Sequence, residues 1–324
     1  MKVVDQLNSE YLTDFWSRPQ TPRLPLPYQV KEVEYKCAKS GHTLHATLTL
    51  PKKIRGSLVF VPGFGVKDRD STISGHKLFF VLSDFFTKLG FSTLRYEFPW
   101  DSSVSCASGE GVILQEDFAA SSIQFLRSHS GGPIIGFGHS CGGRAILSLS
   151  HSTDLIDGCI LMSTPITSLF STLVYQHNCF VQEFDLSEAQ ENLLYKQLVS
   201  PFISGESVGF FCPHHKQEEV SSISEAYKDL MSFSLEGYVA SVEVPVLYLY
   251  GMNDCQVDVQ SQLDILNIIA KKKNTDLISY PDLNHLLQPS EIKSVSEYRM
   301  TRTTISELVF RDIRLWFQDQ GLSN

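Results

Sequence analysis

Short, continuous or nearly continuous apolar runs recur along this chain: Leu58 to Val61, Thr93 to Tyr96, Ile134 to Phe137, Cys159 to Met162, Val246 to Tyr250 and Leu277 to Tyr280. Each is strand-sized and nearly free of polar alternation. A strand that is apolar at every position must be covered on both faces, which happens when helices pack on both sides of a parallel sheet. Helical patterns separate most of the runs. Leu78, Leu82, Phe85, Phe86 and Leu89 share one helical face, and Gly90 supplies a C-terminal stop. Ile305, Leu308, Val309, Ile313, Trp316 and Phe317 repeat at the same spacing. Strands alternating with helices predict an α/β class with a mostly parallel, doubly wound sheet and right-handed crossovers.

Three segments depart from this pattern. Residues 1–28 contain Pro19, Pro22, Pro25 and Pro27, which forbid a continuous helix or a central strand, so a Pro-rich arm is expected. Val33, Tyr35 and Cys37, then Leu44, Ala46, Leu48 and Leu50, alternate with polar residues around Ser40-Gly41 and predict a half-exposed antiparallel hairpin. Residues 166–240 hold no strong parallel-strand run. They contain helix-like stretches, Glu188 to Leu198 and Glu225 to Met231, and a loop-like stretch from Ser204 to Gly209. An insertion of that length between two sheet strands reads as a helical lid. The core is then residues 29–165 and 241–324.

Composition narrows the function. The chain has 324 residues, 42% hydrophobic and 19% charged, as in ordinary globular proteins, and a formal net charge of −9. A nucleic-acid binder would carry a basic face, so none is expected. No apolar run reaches membrane-spanning length. Met1 to Gln6 lacks the apolar stretch of a secretory signal, and seven cysteines are an odd number. Free thiols in a reducing cytoplasm are the expectation.

Gly138-His139-Ser140-Cys141-Gly142 follows the run Ile134 to Phe137 and precedes a helical stretch from Arg144 to Ser150. The Gly-x-Ser-x-Gly pattern at a strand-to-helix turn is a nucleophile elbow, with glycines where a Cβ would clash. A serine hydroxyl attacks only if a base takes its proton, and the base needs a third group to fix its tautomer. In the chain order Ser, acid, His, the acid is Asp254, in the turn after Val246 to Tyr250, with Asp258 as the second candidate. The base is His285, in the loop after Leu277 to Tyr280. The other nine histidines mostly read as exposed side chains without a role. Developing charge on the carbonyl oxygen needs preorganised donors. The backbone N–H groups of Cys141 and of Phe64, in the loop after Leu58 to Val61, are the candidates.

The strand-loop from Leu58 to Gly65, the elbow, the turn Gly251 to Val257 and Asn284-His285 together resemble the α/β-hydrolase superfamily of serine esterases, thioesterases, lipases and peptidases. The resemblance covers about residues 30–165 and 241–324. It implies an α/β-hydrolase fold, an acyl-enzyme mechanism on a small-molecule acyl substrate, and no cofactor or metal. Small cytosolic esterases with a helical lid look most similar. Two places depart from the family. Pro62-Gly63 stands where many members have His-Gly, and Glu97 to Ser102 replaces an Asp-x-Arg-Gly-x-Gly loop.

A carboxylic ester is the expected substrate, with thioester or peptide hydrolysis and a catalytically silent binding protein as alternatives. Cys212-Pro213-His214-His215 lacks four ligands at zinc spacing and reads as a polar loop. Lys271-Lys272-Lys273 reads as a solvated helix end. Asp68-Arg69-Asp70 reads equally as a loop clamp through an internal ion pair or as an exposed loop. Cys141, at a helix N-terminus, is a candidate for a lowered thiol pKa and oxidation, but a small filler is preferred.

Overall fold

The computed structural model describes residues 18–66, 68–99, 110–198, 209–210, 218–219, 229, 231–269 and 274–321. The predicted runs are strands. After β1 (Gln29–Lys36) and β2 (Thr43–Leu50) come β3 (Gly56–Val61), β4 (Phe91–Tyr96), β5 (Ile134–His139), β6 (Gly158–Met162), β7 (Val246–Gly251) and β8 (Thr275–Tyr280). They form one sheet in the order β1-β2-β4-β3-β5-β6-β7-β8. Only β2 runs antiparallel to its neighbours. Strands β3 to β7 are buried at every position, whereas β8 is half-exposed because it has a neighbour on one side only.

The helices in chain order are α1 (Leu78–Lys88), α2 (Glu110–His129), α3 (Cys141–Ser152), α4 (Leu169–Phe184), α5 (Glu188–Leu198), α6 (Glu236–Ser241), α7 (Val259–Ile269), α8 (Glu297–Met300) and α9 (Glu307–Asp319). They divide between the two faces of the sheet. Val59, Val61, Leu94 and Tyr96 pack with Phe118 and Leu126 of α2, Ile146 of α3 and Leu266 of α7. Leu58, Phe60, Phe137 and Ile160 point the other way, to Leu82 and Phe86 of α1 and Ile313, Trp316 and Phe317 of α9. Alternate side chains of one strand thus feed two cores, which is why the runs are continuous. Each fully buried Leu or Phe contributes roughly 1.5–3 kcal/mol.

The hairpin is more buried than its alternation suggests. Thr47 and Thr49 on the second face of β2 are buried as well, because β4 and α1 cover them. Thr49 Oγ1 hydrogen-bonds to Thr87 of α1 at 2.7 Å and to Thr93 of β4 at 2.5 Å. On α9, Leu308 faces solvent rather than the core.

Between β6 and β7 the described chain consists of α4, α5, a short ribbon (Gly209–Phe210 with Glu218–Glu219) and α6. Ser168 caps α4 by accepting from Ser171 N–H, and Asp185 ends it in a left-handed conformation. The stretch from Glu225 lies largely outside the described residues. Ser204 to Val208, Cys212 to His215 and Lys271 to Lys273 lie wholly outside them. Among the described residues no helix is long and apolar enough to cross a membrane.

Candidate active site

β5 carries the chain to the sheet edge, and Ser140 N–H then donates to Met162 O of the adjacent β6 at 2.9 Å. This bond holds Ser140 at φ 54°, ψ −128°, a conformation that costs energy for any residue with a Cβ. The helix starts at once, at Cys141, earlier than the sequence pattern suggests. The bend is possible only with glycines beside it. A Cβ on Gly138 would sit 2.3 Å from Gly143 Cα, and one on Gly142 would sit 2.2 Å from Val61 O.

Asp254 and His285 come together on the loops after β7 and β8. Asp254 is fully buried. Its Oδ1 accepts the N–H groups of Gln256 (2.7 Å) and Val257 (2.9 Å), and its Oδ2 lies 2.7 Å from His285 Nδ1. A carboxylate that accepts from Nδ1–H leaves Nε2 as the free base of the ring. The two loops interlock through their backbones. Asn253 N–H donates to Leu283 O at 2.9 Å, and Met252 N–H to Tyr280 O at 2.9 Å. Asn284 Oδ1 accepts Leu286 N–H and Gln288 N–H, which fixes the His285 turn. Asp258 is elsewhere: it caps α7, accepting from Ser261 N–H and Oγ.

The loop after β3 packs on the elbow. A Cβ on Gly63 would be 3.2 Å from Ser140 Cβ, and Phe64 N–H reaches the Cys141 thiol. Phe64, Cys141 and Ser140 are therefore neighbours. Among the described residues, Ser140 Oγ forms no hydrogen bond with His285. Such contacts are often open in free enzymes and close when substrate binds.

Several neighbours of the site contradict the bland sequence reading. His139, expected to be exposed, is buried with its ring centroid 4.9 Å from that of His285. Its Nε2 lies 3.2 Å from His285 O, and its Nδ1 has no partner among the described residues. Burial, then proximity to His285, pushes its pKa down to about 3, so the ring stays neutral. His76 and His177 are buried too. Helix α4 contributes Tyr175, whose hydroxyl donates to Asp254 O (2.8 Å), and Gln176, whose Nε2 donates to Gln256 O (2.9 Å). Further along, Glu183 accepts from Ser294 Oγ (2.5 Å) and Ser296 Oγ (2.6 Å) in the segment leading to α8. Tyr175, Cys179 and Glu183 fall four residues apart on one helical face, a signal visible in the sequence although its target is not.

Burial raises the Cys141 thiol pKa and pushes that of Cys255 up to about 12, which disfavours the reactive thiolate at both. The charged triplet is a clamp, but not an internal one. Arg69 binds Glu97 (2.7 Å), Glu32 and Thr47, while Asp70 binds Lys77 (3.2 Å) and the buried Arg95. A cleft of about 630 Å³ opens beside it, and Ser140, Asp254 and His285 do not line it. Among the described residues no group of three or more His, Cys, Asp or Glu side chains is placed to hold a metal ion.

The sheet and the helices on its two faces have counterparts in solved structures. The chain is similar to the Pyrococcus furiosus esterase Pf2001, with a TM-score of 0.58, 12% identity, and coverage of 94% of this chain and 97% of that one. This is an α/β-hydrolase fold. Est1E from Butyrivibrio proteoclasticus, solved with ferulic acid, shares the α/β-hydrolase architecture at TM-score 0.55 and 16% identity, over 89% of this chain and 98% of that one. In sequence the chain is 22% identical over 290 residues to Esterase EstD from Thermotoga maritima, covering 84% of this chain. It spans 65% of the length of that curated relative. No protein-family model matches the chain.

Proposed function

We propose that this α/β-hydrolase is a serine esterase that cleaves a carboxylic ester through an acyl-enzyme. The observation that carries the reading is the buried Asp254–His285 pair at 2.7 Å, set on the same sheet edge as a serine held in the strained elbow conformation. The likeness to esterases supports it.

In this reading His285 Nε2 takes the Ser140 proton as Oγ bonds to the acyl carbon. The resulting oxyanion is held by the N–H groups of Phe64 and Cys141. His285 returns the proton to the departing alkoxide, which leaves as the alcohol. Water then attacks the acyl-enzyme with His285 again as base, releasing the acid and restoring Ser140. Asp254 keeps the imidazole oriented and stabilises its charged form. Residues 166–240 form the lid over this edge, supported by the grip of Tyr175 and Gln176 on the acid loop. The odd number of thiols supports a reducing cytoplasm as the compartment.

A fluorophosphonate probe tests the nucleophile directly. Labelling of the wild type and none of folded Ser140→Ala is the expected result, with hydrolysis of aryl esters of graded acyl length by the wild type alone. A folded wild type that takes no label refutes the reading.

A further inference from the structure

Arg144 lies on α3, three residues after Cys141, and is only 7% exposed. Among the described residues no carboxylate pairs with it. Its guanidinium is instead satisfied by backbone carbonyls. Nη1 donates to Pro165 O (2.9 Å) and Thr167 O (2.6 Å), and Nη2 donates to Phe233 O (2.8 Å). Those carbonyls belong to the two places where the 166–240 insertion leaves the sheet and approaches it again. Burying an unpaired cation costs several kcal/mol, and an apolar side chain would fill the space without that cost. What only a guanidinium supplies is a rigid fork with enough donors to hold separate carbonyls in fixed directions.

The two roots also hold each other. Leu235 N–H donates to Ile166 O at 2.8 Å, and Ser234 Oγ to the same oxygen at 3.3 Å. From α7, Gln262 Oε1 accepts Ile166 N–H (2.8 Å) and Thr167 N–H (3.2 Å). At the far end of α3, His151 stacks on Tyr238 and bonds Ser241 Oγ at 2.7 Å, whereas Arg144 hydrogen-bonds both roots from the early part of the helix that carries Ser140 at its start. The same guanidinium is close enough to the Cys141 thiol to oppose part of the upward push that burial gives it.

We propose that Arg144 is a specificity-determining positioning residue that pins both roots of the insertion to the nucleophile helix and so sets where the insertion stands over Ser140. This rests on the reading of residues 166–240 as the lid of an ester-cleaving site. The fork, not the charge alone, does the pinning, so lysine does not replace arginine here.

Hydrogen exchange read by mass spectrometry on the full-length wild type, Arg144→Gln and Arg144→Lys tests the coupling without any substrate. Both variants are expected to exchange ~10-fold faster at 165–167 and at 233–235, and at the first turn of α3, with β8 and α9 unchanged. In parallel, KM for long-chain aryl esters is expected to rise ~10-fold, while kcat for the acetyl ester stays within about twofold. Faster exchange at one root only, a uniform rise throughout the chain, or an Arg144→Lys variant that matches the wild type overturns the proposal. So does an equal loss of kcat for acetyl and long-chain esters. If Arg144→Gln does not fold, Gln262→Ala loosens the first root alone. Exchange must then rise at 233–235 as well, and no rise there refutes the coupling. A wild type that hydrolyses no ester removes the proposed function, but the exchange result still decides whether Arg144 joins the roots to α3.

Discussion

The loops after β7 and β8 and the helices between β6 and β7 meet at the same edge of one sheet, yet they are held in different ways. In the loops, Asp254, Asn284, His285, Leu286 and Leu287 are all buried, and backbone bonds cross directly from one loop to the other. In the insertion, α4 buries only Leu169, Thr172 and His177, and α5 leaves Leu193 and Tyr195 exposed. Ile166, Leu235 and Val239 anchor its two ends in the core, but the polar ties of its helices to the sheet edge are individual side chains: Tyr175, Gln176 and Glu183 from within it, Arg144 and Gln262 from outside. Geometry locked by backbone cannot shift without breaking the fold, whereas geometry held by single side chains can be adjusted one residue at a time. That division suits the proposed esterase reading, in which the chemistry is constant and the substrate choice is open to change.

If the division is real, substitutions on the elbow and acid loops have all-or-none effects. The largest is expected from Gly142→Ala. The new Cβ would lie 2.2 Å from Val61 O and 2.5 Å from Pro62 O, backbone atoms that cannot rotate away. A fall in Tm on the order of 10 °C, or failure to fold, is expected by thermal unfolding. A Tm within a degree or two of the wild type would mean that the elbow yields as easily as a surface loop.

Next in size is Asp254→Asn, expected to reduce kcat roughly 10⁴-fold with the fold intact, because the amide favours the wrong tautomer of His285. Asp258→Asn, which touches only the α7 cap, is expected to leave kcat within about threefold and to cost at most ~1 kcal/mol of stability. A reversed order in steady-state kinetics would move the acid to Asp258.

The third effect concerns stability, not turnover. Buried His139 and His76 have pKa values pushed down by burial, to about 3 and about 4. A folded-state pKa below the unfolded value near 6.5 means that the contribution is complete above that pH. It is lost as pH falls towards the folded value, because the unfolded chain binds the proton first. Urea unfolding between pH 7 and pH 4 should show a declining free energy, with His76 responsible for on the order of 3 kcal/mol. His76→Gln should flatten the slope, and an unchanged slope would place the loss elsewhere.

The rigid half was also the legible half. Burial on both faces makes β3, β5, β6 and β7 nearly continuous apolar runs, although β4 also buries Ser92, Thr93 and Arg95; the elbow needs its glycines, and Asp254 and His285 sit just past strand ends. What escaped notice had polar residues in buried places. Helix α2 buries Gln115, Ser121 and Ser122, which blurs its apolar face, and no helix stands out over 110–129 in the sequence. Arg144 carries the signature of a solvated helix face, because nothing local tells that distant carbonyls will surround it. His139 is similar: its partner, the His285 loop, lies far along the chain. The residues Asp68, Arg69 and Asp70 suggest pairing with one another, but Arg69 and Asp70 find charged partners on other elements, while Asp68 accepts from Asp70 N–H and from Thr72 in its own loop. Long-range polar contacts leave no period in a sequence, and these are the contacts that fasten the insertion.

The smallest expected effect tests that fastening most finely. Tyr175→Phe keeps the ring and deletes only the hydroxyl that donates to Asp254 O across 2.8 Å. A neutral hydrogen bond of this kind contributes about 1 kcal/mol, so kcat/KM is expected to fall about fivefold. Asp254 should nevertheless stay in place, since its carboxylate is held by Gln256 and Val257 N–H and by His285, none of which belongs to α4. The loss should therefore appear in KM for bulky esters more than in kcat for small ones. A kcat loss for the acetyl ester approaching that of Asp254→Asn would show that α4 is part of the catalytic frame and would end the distinction between the two regions. No change with any substrate would show that α4 rests on the acid loop without influencing it, and would leave Arg144 and Glu183 as the contacts through which the insertion is set.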